Sequence, residues 1–379
     1  MEHLRHFDIR SIGNGRNSES AIYLFPVLKM LSIKKIGVRI VLLLAIVLLL
    51  NIVYKRTFWK DDLDKHADML WELLHQQHTC DMLYFGESSD FHTDSLDVSK
   101  KSISHFASDH FPSLKLGAVS RPAVHAGVYS DVVKHLSPNA KVKTVIFTLN
   151  MRSFDATWIN SALESYVLKT RIMYKQYPPV INRFLFSLNA FENKTEKERE
   201  QDMLDQWQRD QLKFPYPFKY KNVREWDKAM ANGGHLNPDG SWNIPKIDLA
   251  CHYIKAYAFQ VDTLTNPRLK DFDEIVSTCK GKNLNIVFNL MAENVAYADS
   301  LVGKDLIYLM RQNRDLLVKR YTQKGVLVID NLEAVEGKDF VDQNWTTEHY
   351  KEKGRRIVAR NLAEGLKRIY PKEYINQTN

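Results

Sequence analysis

The chain has 379 residues, 44% of them hydrophobic, which is enough for one large domain or two ordinary ones around a substantial core. Its formal charge is +8, but half of that lies in residues 1–39, where seven Arg and Lys side chains meet three acids. With no zinc-finger spacing, RNA-binding signature or basic-aromatic stripe, this balance excludes nucleic acid as the expected partner and reads as a basic membrane flank. The three cysteines, Cys80, Cys251 and Cys279, match no metal spacing and give no disulfide framework; Cys251 and Cys279 are the one pair within a single region.

Residues 1–35 read as a cytoplasmic segment without clear pattern, and Met30 offers an alternative start of translation. Ile36 to Tyr54 is a nearly unbroken apolar run, interrupted by Arg39 and Asn51. Nineteen helical residues span roughly 28 Å, close to the hydrocarbon thickness of a bilayer. Lys34, Lys35 and Arg39 at its start keep the amino end cytoplasmic and place the rest outside. A cleaved signal peptide competes, but Asn51 to Trp59 is bulky and basic, with no small-residue cleavage pattern, which favours an uncleaved anchor. Residues 55–79, with Leu63, Met69, Leu70, Leu73 and Leu74 at helical spacing, predict a stalk or packing helix.

From residue 80 the pattern alternates. Strands are predicted at 82–86, 114–119, 144–149, 284–290 and 326–330. Helices are predicted at about 95–110, 122–136, 250–263, 270–280, 299–323 and 347–369. Such alternation requires crossover connections and so a doubly wound, mainly parallel five-stranded α/β sheet over residues 80–370, with a tail at 371–379. Residues 156–250 break the rhythm. They are rich in aromatics, among them Trp158, Tyr166, Trp207, Phe214, Phe218 and Trp226, and predict a helical insertion after the third strand. It reads either as a lid over the carboxyl edge of the sheet or as ordinary helical packing.

Chemistry concentrates where strands end. Met82 to Phe85 run into Gly86-Glu87-Ser88, which sets a serine on a sharp turn at the carboxyl end of the first strand, facing the crevice where such folds bind ligands. A serine nucleophile needs a base and donors for an oxyanion. His349 lies between the last strand and the last helix and is the expected base; Asp342 is the expected orienting acid. Glu348, adjacent to His349, is expected to point elsewhere. The oxyanion donors are expected to be the backbone N–H groups of Ser88 and Gly117 and the side chain of Asn150, each at or near a strand's carboxyl end. Ser89 replaces Ser88 if the turn is shifted by one residue. Asn289, Glu293 and Arg152 are expected to face the same crevice and contact substrate. Arg121, Arg355 and Arg356 could bind a phosphate or carboxylate group, but solvated cations are the more usual reading. Asn193 and Asn344 fit the glycosylation pattern. No cofactor or metal cluster is expected.

These motifs, in this order, resemble those of the SGNH (GDSL-like) hydrolase superfamily. Gly86-Glu87-Ser88 matches its Gly-Asp-Ser block with Glu for Asp, and Gly117 and Asn150 match the two middle blocks. His349 matches the last block, where Thr346 stands at the position of its acid and Asp342 is the nearest earlier acid apart from Glu348. The resemblance covers about residues 80–155 and 284–370. It implies a flavodoxin-like sheet and an esterase or acyltransferase using Ser88, His349 and Asp342 without a cofactor. The anchor followed by such a domain is similar to proteins that assist O-acylation of cell-envelope polymers. That likeness implies a carbohydrate or envelope-polymer substrate and a multispanning membrane acyltransferase as partner. The alternative is a non-catalytic scaffolding or binding partner of that acyltransferase.

Overall fold

A computed structural model describes residues 19–175, 177–191 and 194–376, with side chains from Lys34 onward. The expectations that concern residues 1–18, Asn193 and the end of the tail lie outside the described residues. The chain forms two compact units, Met1–Thr57 and Phe58–Asn379.

In the first unit a single helix covers Glu19–Thr57 and so begins well before the anchor expected from Ile36. Its part Lys34–Thr57 has 24 residues and contains an 18-residue window of mean hydropathy 2.8, long and apolar enough to cross a membrane. Its apolar side chains are turned outward: Leu42 is 59% and Leu49 62% exposed.

The second unit is built on five strands: β1 (Met82–Gly86), β2 (Leu116–Ser120), β3 (Thr144–Leu149), β4 (Asn285–Leu290) and β5 (Leu327–Asp330). All are parallel, in the order β2-β1-β3-β4-β5. Side chains alternate along each strand, so the sheet has two buried faces. Leu83, Phe85, Val145, Phe147, Phe288 and Leu290 pack on one face against the helices Ala126–Val133, Pro267–Gly281 and Lys304–Gln323. Met82, Tyr84, Ile146, Val287 and Ile329 pack on the other against Ile103–Ser108 and Glu352–Leu366. This is a doubly wound sheet whose order reverses between β1 and β3, opening a crevice at their carboxyl ends.

Several helices differ from expectation for local reasons. The single helix over 55–79 is two, Trp59–His66 and Asp68–Gln76, broken at Ala67 (φ −150°). The helix expected at 95–110 shrinks to Ile103–Ser108, because Ser102 accepts the N–H of His105 and caps it there. The helix expected at 299–323 divides into Val295–Leu301 and Lys304–Gln323 at Gly303, whose φ of 104° only glycine adopts freely. The insertion does contain helices, among them Glu164–Met173, Glu196–Arg209 and Val223–Ala231. Its aromatics Phe214, Phe218, Tyr220 and Trp226 meet one another in tilted and edge-to-face contacts and pack onto the main core. The three cysteines are buried and free.

Candidate active site

β1 is buried throughout and delivers Glu87 in an extended conformation; Ser88 then opens a short helical turn, Ser88–Phe91. The turn is tight. A Cβ on Gly86 would lie 2.4 Å from Ser120 Oγ and 2.8 Å from Tyr84 Cε1. Asp90, buried under the turn, accepts from Ser104 N at 2.8 Å, Ser104 Oγ at 3.1 Å and Ser120 Oγ at 3.0 Å, tying the serine turn to its neighbours. As the first residue of this turn, Ser88 has a backbone N–H with no intrahelical acceptor.

The residues expected to act together meet here. His349 Nε2 stands 2.9 Å from Ser88 Oγ, and His349 Nδ1 stands 2.7 Å from Asp342 Oδ2. Both bonds fit one tautomer, with Nδ1 donating to the carboxylate and Nε2 accepting from the hydroxyl. Thr347 Oγ1 donates to the same Asp342 oxygen at 2.5 Å. Burial alone would raise the Asp342 carboxyl, but the bonds from Thr347 and His349 outweigh it and hold it below the usual range. Burial lowers the His349 imidazole, and the nearby His92 lowers it further, against the pull of Asp342. The His92 ring stacks on His349 with centroids 4.0 Å apart. Ser89 is buried and directs its hydroxyl inward to Glu87, so the turn presents Ser88 to the imidazole.

The carboxyl end of β3 supplies the next layer. Asn150 follows Leu149 and accepts the N–H of Arg152 on Oδ1 at 2.9 Å; its Nδ2 donates to Glu87 Oε1 at 2.7 Å. The amide therefore stands beside the residue that precedes the serine. Arg152 grips Glu348 with two bonds of 2.5 Å, Nε to Oε1 and Nη2 to Oε2, its side chain 12% and that of Glu348 3% exposed. Glu348 thus does point away from His349, as neighbours on an extended segment must, and it points inward. Burial would raise its carboxyl, but Arg152 holds it below the usual range. Glu293, three residues beyond β4, accepts the Tyr257 hydroxyl at 2.5 Å. Its carboxyl is pushed well above the usual range by burial and by Glu348.

Two expected positions are corrected. Gly117 is the second residue of β2, paired with Leu83, while Ser120 is level with Gly86. It lies well short of the carboxyl edge, where an oxyanion donor must stand. Its missing side chain makes room for other groups: a Cβ would meet Gln76 Oε1 at 2.0 Å and Cys80 Sγ at 2.7 Å. Asn289 is fully buried and its amide is used within the sheet, donating to Tyr84 Oη at 3.2 Å and accepting from Asn331 at 2.9 Å. It does not face the crevice. Arg152 and Glu293 do stand at the carboxyl edge, engaged as described.

Among the ambiguous arginines, Arg121 pairs with Asp68 at 2.6 Å and Arg356 with Glu352 at 2.8 Å. Arg355 is wholly buried. It binds Asp97 Oδ2 at 2.8 Å, Tyr350 O at 2.7 Å, Ser99 O at 2.8 Å and Lys101 O at 3.0 Å. A cavity of about 650 Å³ opens on the same sheet edge, lined by Glu293, Tyr216, Tyr308, Lys304, Arg311 and Glu333. Among the described residues no group of three or more His, Cys, Asp or Glu is arranged to hold a metal.

Sequence reasoning missed the roles of Glu87, Glu348 and His92. For Glu87 and Glu348 a signal existed, since each immediately precedes a catalytic candidate at the sheet edge. No family model matches the chain, and no curated protein sequence matches it.

Proposed function

We propose that the protein is a membrane-anchored serine esterase or O-acyltransferase of SGNH type that acts on acyl esters of a carbohydrate or cell-envelope polymer. The observation that carries this reading is the continuous chain Asp342–His349–Ser88, with contacts of 2.7 and 2.9 Å, at the crevice of a doubly wound sheet. Ser88 Oγ attacks the acyl carbon while its proton passes to His349 Nε2. The resulting oxyanion is met by the Ser88 N–H and the Asn150 amide. As the carbon–oxygen bond to the leaving group breaks, His349 returns the proton to the departing alkoxide and leaves an acyl-Ser88. Water or an acceptor hydroxyl, deprotonated by His349, then attacks; the acyl group departs and Ser88 regains its proton. Asp342 keeps the imidazole in its tautomer and offsets the imidazolium charge.

The motif order of the SGNH superfamily supports the assignment, with Asp342 replacing the acid of the last block. Lys34, Lys35 and Arg39 favour a cytoplasmic amino end and an extracytoplasmic catalytic unit. A multispanning membrane acyltransferase is the expected partner. An imidazole seated on the serine favours catalysis over scaffolding.

The test is fluorophosphonate labelling together with turnover of p-nitrophenyl acetate and of an acetylated glycan. Wild type and Ser89→Ala are expected to react, and Ser88→Ala to lose both signals. Equal labelling and turnover in Ser88→Ala would end the assignment.

A further inference from the structure

The residue before the nucleophile is a buried acid, and its contacts give it a role that rests on the catalytic reading above. The Asn150 amide has its carbonyl fixed by the Arg152 backbone N–H at 2.9 Å and one N–H fixed by Glu87 Oε1 at 2.7 Å. A primary amide has two N–H groups in one plane, so these two bonds leave a single N–H with a single direction. Glu87 is 3% exposed, and its Oε1 also receives the Ser89 hydroxyl at 3.4 Å.

The groups facing Glu87 disfavour its charge at neutral pH: the donors Asn150 and Ser89 and the guanidinium of Arg152 offset burial and Glu348 only in part. Arg152, the guanidinium after β3, is already matched by Glu348 through two bonds. Tyr84 on β1, Tyr129 on the helix Ala126–Val133 and Tyr350 after His349 are neutral phenols near it, each pushed upward by burial first and in part by Glu87. Asp90 lies below the turn and Glu348 across from it, both acids; His349 is neutral when it acts as base. A second buried carboxylate beside a satisfied ion pair is uncompensated. Burial, and then repulsion from Glu348, push the Glu87 carboxyl up to about 8.

We propose that Glu87 is the positioning acid of this centre: as a neutral carboxyl it holds the Asn150 amide with its free N–H turned to the acyl oxygen, and its ionisation shuts the reaction down. The shutdown is electrostatic, because an anion next to Ser88 opposes the negative charge that develops on the acyl oxygen. Glu87→Gln separates the two roles. Its carbonyl still accepts from Asn150, and it carries no charge at any pH.

The experiment measures kcat/KM for p-nitrophenyl acetate from pH 5 to 10 in the full chain, with Ser88→Ala as the blank. Wild type is expected to lose activity above about pH 8. Glu87→Gln is expected to lose that alkaline fall and to retain at least tenfold more neutral-pH activity than Glu87→Ala. Glu87→Ala, which releases the amide, is expected to fall by about 10²-fold at neutral pH. Circular dichroism of each variant verifies the fold, and fluorophosphonate labelling of Ser88 separates the two claims. A labelled wild type whose alkaline fall is unchanged in Glu87→Gln overturns this inference alone. A wild type with no labelled serine overturns the catalytic reading and the inference with it.

Discussion

Asp342 and His349, seven residues apart, face each other across a short antiparallel turn: Val341 N donates to His349 O at 2.8 Å, and Asp342 Oδ2 meets His349 Nδ1 at 2.7 Å. Phe340 and Tyr350 form the bridge at the base of the turn. The chain therefore folds back and brings its acid to the imidazole at a spacing of seven residues rather than three. Asp342→Asn removes the charge and favours the wrong tautomer. The expected result is a fall in kcat of about 10³–10⁴-fold with p-nitrophenyl acetate. Thermal stability should change little, because Asp342 is partly exposed.

The stacked ring of His92 adds to burial in lowering the His349 imidazole. The His349 imidazole is lowered from its ordinary 6.5 by burial and then by His92. Neutral base therefore persists below pH 6.5, and the acid limb of kcat/KM is expected there. His92→Phe preserves an aromatic ring against His349 and removes the like charge. The acid limb should move to higher pH, read from the rate profile of the variant against wild type.

Gly117→Ala distinguishes a packing position from an oxyanion position. The added methyl would stand 2.0 Å from Gln76 Oε1, and Gln76 is held in place by its bond to Ala118 O at 2.8 Å. Overpacking of this kind costs about 1–3 kcal/mol. Urea unfolding should show that loss, while kcat/KM of the folded protein stays at the wild-type level. A large fall in kcat with unchanged stability would return Gly117 to the oxyanion site.

Arg152→Met leaves Glu348 buried without its partner. The expected destabilisation is about 3–5 kcal/mol in urea unfolding. The double variant Arg152→Met with Glu348→Met removes the orphaned charge as well and should recover part of the loss. If the single and double variants are equally unstable, the pair is not the source of the cost.

Much of the fold was legible because buried parallel strands are short apolar runs bounded by turns. β3 was bounded to the residue, and β4 and β5 to within one. Helix ends were less legible because side-chain partners far along the chain decide them. The segment from His92 to Lys101 stays irregular in the grip of Arg355, which no local pattern announces. At the site, Ser88 was legible from its place at a strand end, and Asp342 and His349 from theirs between the last strand and the last helix. Gly117 was misplaced by a shift of two residues in the start of β2, enough to move it off the sheet edge. Asn289 was misread because alternation on β4 buries it against Tyr84 and Asn331. The Glu87–Asn150 and Arg152–Glu348 contacts join residues 63 and 196 positions apart, a relation that one sequence does not display.

Arg355 also has a consequence for biosynthesis. It stands on the helix Glu352–Leu366 just after His349, and its bonds to Asp97, Ser99 and Lys101 lash that helix to the segment that follows the serine. The serine turn emerges from the ribosome more than two hundred and fifty residues ahead of both His349 and this clasp. A growing chain thus carries Ser88 without its imidazole neighbour until its last helix docks, and the run of contacts from Asp342 through His349 to Ser88 closes only with that final act of folding.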